Sequence, residues 1–62
     1  MASEQEKQNA RDGGYTVSLV GKGTYDTYVV YLHGVAQAGE FALVEDAWNE
    51  AVARRWRDQN EH

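Results

Sequence analysis

YTVSLVGKGTYDTYVVYLH, residues 15–33, reads as two β-rich runs joined by a tetrapeptide with two glycines. In the first run, residues 15–20, Tyr15, Val17 and Leu19 alternate with Thr16 and Ser18, the period of a half-buried strand. The second run spans residues 25–33. Gly21 and Gly23 can supply the positive φ angles of a hairpin turn, so the two runs are expected to pair antiparallel. Which face turns inward depends on loop length, because a one-residue shift in register moves every side chain to the other side of the sheet. A two- or four-residue loop sets Val17 opposite Tyr28 and Tyr15 opposite Val30. It collects Tyr15, Val17, Leu19, Tyr28, Val30 and Leu32 on one face. A three-residue loop groups Val17 with Thr27 and hides less apolar surface, so the first register is preferred. The second face then carries Val20, Tyr25, Val29, Tyr31 and His33, more apolar than a solvated sheet face requires.

Downstream, GVAQAG (residues 34–39) is a connector in which a short third strand over residues 35–37 is left open. In EFALVEDAWNEAVARRWRDQ, residues 40–59, Phe41, Val44, Ala47, Trp48, Ala51, Val52 and Trp56 recur at helical spacing and form one apolar stripe. Trp48 and Trp56 are read as core, although Trp56, near the helix end, could reach past the sheet edge. Early Glu40, Glu45 and Asp46 and late Arg54, Arg55 and Arg57 suit the helix dipole. Upstream, residues 1–14 are poor in apolar side chains and end in a glycine pair; they are expected to be a flexible tail, with a short helical turn over residues 3–11 as the alternative. The fold class is α+β: an antiparallel β-hairpin packed on one C-terminal amphipathic helix, ββα, as a single domain over residues 15–62.

Such a unit is small. The chain has 62 residues and no cysteine, and its only imidazoles are His33 and His62. Disulfides are excluded and a tetrahedral zinc site nearly so. Below roughly 70 to 80 residues a single core seldom suffices without such help, so self-association as a homodimer is expected. Neither a secretion signal nor a run of membrane-spanning length occurs, which points to a cytoplasmic protein with no membrane partner. Ten acidic against six basic residues give a net charge of -4, which argues against direct binding of nucleic acid.

No constellation of established mechanism is present. Gly21-Lys22-Gly23 lacks the spacing and following helix of a phosphate loop, and Asp26 and His33 lie seven residues apart on one strand, alternating to opposite faces. The expectation is therefore a non-enzyme without cofactor or metal. Tyrosine combines large apolar area with little rotamer entropy and is common at binding hot spots, which singles out Tyr25 and Tyr31 as partner-binding candidates, Tyr15 and Tyr28 being structural. Asp46 and Glu50, on the helix face away from the stripe, would attract a basic partner. Arg54, Arg55 and Arg57 are the candidate anion or nucleic-acid contact, although they also complement the helix's carbonyl end.

YVVYLHGVAQAGEFALVEDAWNEAV, residues 28–52, resembles part of the HicB-like antitoxins in its order of strand, glycine-containing connector and alanine-rich helix with an acidic start. His33 stands where that family has a proline, and the family's following strand and DNA-binding region are missing. In size and composition the chain is similar to small phage-encoded inhibitors such as anti-CRISPR proteins. Both resemblances imply a protein that inhibits or regulates a larger protein or nucleoprotein complex by occupying its surface. The alternative they leave is an antitoxin-like nucleic-acid module using the arginine cluster.

Overall fold

A computed structural model describes residues 2–21, 23–37 and 39–60. In chain order it contains α1 (Glu4–Asp12), β1 (Tyr15–Gly21), β2 (Asp26–Leu32), β3 (Val35–Ala36) and α2 (Val44–Asn60). The strands form one antiparallel sheet in the order β1-β2-β3, so the α+β architecture read from the sequence is present, with a third strand and an added N-terminal helix.

The hairpin pairs Tyr15 with Leu32, Val17 with Val30, Leu19 with Tyr28 and Gly21 with Asp26. This register is displaced by two residues from the expected one, because Gly21 continues β1 and Tyr25 falls in the loop rather than opening β2. A shift of two preserves the faces. Tyr15 and Val30 therefore enter the core, with Val17, Tyr28 and Leu32 packed against it. β2 turns into β3 through His33 and Gly34, at φ 52 and 82, a two-residue connection with both central residues at positive φ, as hairpin twist favours. His33 thus belongs to a turn and not to the second sheet face. The ladder continues from Gln37 N–H to the Val30 carbonyl at 2.8 Å.

Phe41 corrects the expected helix boundary. Its backbone exchanges two hydrogen bonds with Tyr28, of 2.8 and 2.9 Å, as an antiparallel bridge, which holds it extended. The helix begins three residues later. Ala47, Trp48 and Ala51 of α2 are buried in the core and Val52 packs against them, but Trp56 is 64% exposed and is not core. At the far end, the Tyr15 hydroxyl, on a side chain only 3% exposed, donates to Asp58 Oδ2 at 2.5 Å and ties the start of β1 to the last turn of α2. Burial raises the Tyr15 pKa above 10.0, and the bond to the Asp58 carboxylate and its charge add to the shift.

The expected loose tail is helical. Ser3-Glu4-Gln5-Glu6 is a capping box: Ser3 Oγ accepts the Glu6 N–H at 3.1 Å while Glu6 Oε1 accepts the Ser3 N–H at 3.0 Å. Holding the Glu6 carboxylate this way lowers its pKa. Gly13 N–H closes the helix on the Asn9 and Ala10 carbonyls, and Gly14, at φ 95, redirects the chain into β1. Its Cα faces the His33 ring so closely that an added methyl carbon would lie 2.3 Å from it. Tertiary contacts then hold a helix too short to be stable alone. Ala10 is fully buried, Arg11 lies 4.8 Å and Lys7 6.0 Å from the centre of the Trp48 ring, and Asn9 donates to Gln59 at 3.3 Å.

Candidate interaction surface

Because cross-strand partners share a face, the core face of the sheet can be followed beyond the reach of α2. Leu19 pairs with Tyr28, and Tyr28 pairs with Phe41, so these three form a row across the sheet at its hairpin end. Tyr28 and Phe41 are half-buried against the core, whereas Leu19 is 56% exposed. The chain leaves Phe41 directly into Leu43 and Val44 at the start of α2, and these too are exposed, Leu43 at 62%. Five apolar side chains thus gather at one end of the molecule.

Acidic groups surround them. Asp26 lies on the same sheet face two pairs beyond Leu19 and Tyr28, and Glu45 and Asp46 occupy the exposed first turn of α2, where carboxylates also favour the helix N-terminus. Tyr25, 57% exposed, precedes Asp26 in the hairpin loop.

Two of the four partner-binding candidates, Tyr25 and Asp46, therefore lie at this end. The other two do not join them. Tyr31 pairs with Thr16 and Ala36 on the opposite sheet face, half-buried. Glu50 accepts a 2.7 Å hydrogen bond from Arg54 Nε one turn further along α2. Leu19, expected on the core face, is exposed, and Phe41 and Val44 escaped the sequence reading because they fit the helical stripe. Starting the helix at the Glu45-Asp46 pair, where carboxylates match the dipole, would have left them outside it.

The arginines do not form one cationic face. Arg54 is paired with Glu50, Arg55 runs its side chain against Gly13 with Nε buried and unpartnered, and Arg57, one turn beyond Arg54, is exposed beside Trp56. Among the described residues no three His, Asp or Glu side chains are placed to hold a metal ion, and no helix is long and apolar enough to cross a membrane. No protein-family model, curated protein or solved structure matches the chain.

Proposed function

We propose that this chain is a small interaction protein that inhibits or regulates a larger partner by seating its hairpin end on a basic, partly apolar surface of that partner. The Leu19–Tyr28–Phe41 row carries the reading: large apolar side chains sit next to Asp26, Glu45 and Asp46, a pattern that complements an apolar patch ringed by lysine or arginine. Nucleic-acid-handling complexes present such basic surfaces, and an acidic chain of net charge -4 is steered towards them. The exposed apolar groups supply affinity and the carboxylates supply orientation and rate.

Affinity capture from source cells, followed by binding measurements on the purified partner, tests the proposal. Leu19→Thr and Leu43→Ala should each weaken binding by about tenfold or more, and Asp46→Lys should slow association and reduce its salt dependence. Tyr31→Ala, on the opposite face, should bind like the parent. Normal binding by all three hairpin-end variants, or loss of nucleic-acid binding on Arg54→Glu, Arg55→Glu and Arg57→Glu, would replace this reading with the nucleic-acid module.

A further inference from the structure

On α2, Asn49, Val52, Ala53 and Trp56 recur at i, i+3, i+4 and i+7 and form a second stripe that shares Val52 with the one packed on the core. With Ala2 and Glu6 from the start of α1, and Arg57, it lines an open groove of about 550 Å³. Nothing in this groove belongs to the hairpin-end surface.

Three features point to one occupant. The groove has small side chains, Ala2 and Ala53, next to Trp56, a large apolar side chain left 64% exposed, so a knob and a hollow share one patch. It carries one acid, Glu6, and one base, Arg57. A two-fold axis brings residue i of one copy to residue j of the other and the reverse, so a patch with one charge of each sign complements itself where a patch of one sign would repel its copy. Finally, among the described residues four of the eight buried hydrophobic ones are alanines, a thin core for a chain without disulfides. Small domains of this kind gain most from association. The second sheet face offers less, since its Val29 and Thr27 are already buried within the single chain, at 7% and 6% exposure.

We propose that a second copy of this chain docks on the α1/α2 groove, with Trp56 of each copy seated in the groove of the other and Glu6 of each facing Arg57 of its mate. Each docked indole withdraws roughly 100 to 160 Å² from water. The patch is smaller than the roughly 800 Å² per partner of a standard interface, so the dimer should form at micromolar concentration and dissociate on dilution.

Sedimentation velocity from low micromolar to millimolar concentration tests this. The mass should rise from 7.0 kDa towards twice that value. Trp56→Ala should remain monomeric throughout with an unchanged circular dichroism spectrum, because an exposed side chain contributes little to the fold. Arg57→Glu should weaken self-association about tenfold, and Glu6→Gln, which keeps the capping-box acceptor for the Ser3 N–H and removes only the charge, should weaken it as well. A parent chain that stays monomeric at millimolar concentration overturns the proposal. So does a Trp56→Ala variant that still dimerises, or an Arg57→Glu variant that dimerises like the parent.

Discussion

Replacing Tyr15 by phenylalanine removes one oxygen and keeps the ring, which isolates the bond between the first residue of β1 and the last turn of α2. The hydroxyl donates to a carboxylate at 2.5 Å from a side chain that is 3% exposed. Hydrogen bonds to charged groups contribute about 1.5 to 3 kcal/mol, and the low end applies because Asp58 is exposed and can recruit water when the hydroxyl is gone. A loss of about 1.5 kcal/mol lowers the melting temperature of a domain this size by roughly 6 to 12 °C. The pH dependence supplies a second readout. The folded chain holds the phenol proton to higher pH than the unfolded chain, whose pKa is near 10.0. Below that value the contribution of Tyr15 is fully present; as pH rises through the raised folded-state value, folding must retain a proton that the unfolded chain has released, and the contribution is lost. Thermal melts from neutral pH to above pH 10 should show a steeper alkaline decline for the parent than for Tyr15→Phe. A Tyr15→Phe/Asp58→Ala double-mutant cycle should give a coupling of about 1 kcal/mol. Equal melting temperatures together with identical alkaline limbs would refute the reasoning, since the hydroxyl would then tie nothing.

The N-terminal helix gives a second prediction, opposite to what composition suggests. Deleting residues 1–13 uncovers Trp48 and leaves the site of the fully buried Ala10 empty, so the melting temperature should fall by roughly 10 °C or more in a calorimetric scan. Glycine positions give a third. Gly14→Ala and Gly34→Ala both place a side chain at positive φ, at a cost of about 1 to 2 kcal/mol, but only Gly14 also faces the His33 ring. Urea titration should therefore find Gly14→Ala the more destabilised of the two.

The sequence by itself determined the strand and helix types and the composition of the core face. A period of two over Tyr15 and Val17 on β1 and over Tyr28, Val30 and Leu32 on β2, and a period of 3.6 over Ala47, Trp48 and Ala51, are local patterns that burial obliges the chain to use. The face survived a two-residue error in register because side chains repeat every two residues. Tertiary structure decided what local patterns leave degenerate. Phe41 fits a helical stripe and a strand equally well, and it became strand because Tyr28 offered two backbone hydrogen bonds. Residues 4–12 lack an apolar stripe. Their Ser3–Glu6 capping box was legible, yet nine residues cannot hold a helix until Ala10 and the Trp48 ring give it something to pack on. The two exposed surfaces follow from such decisions. Leu19, Leu43 and Val44 are exposed because α2 starts late, and Trp56 is exposed because α1 and the sheet together use only one side of α2. Periodicity shows which residues can share a face; only the packing of one element against another decides which faces are left for a partner.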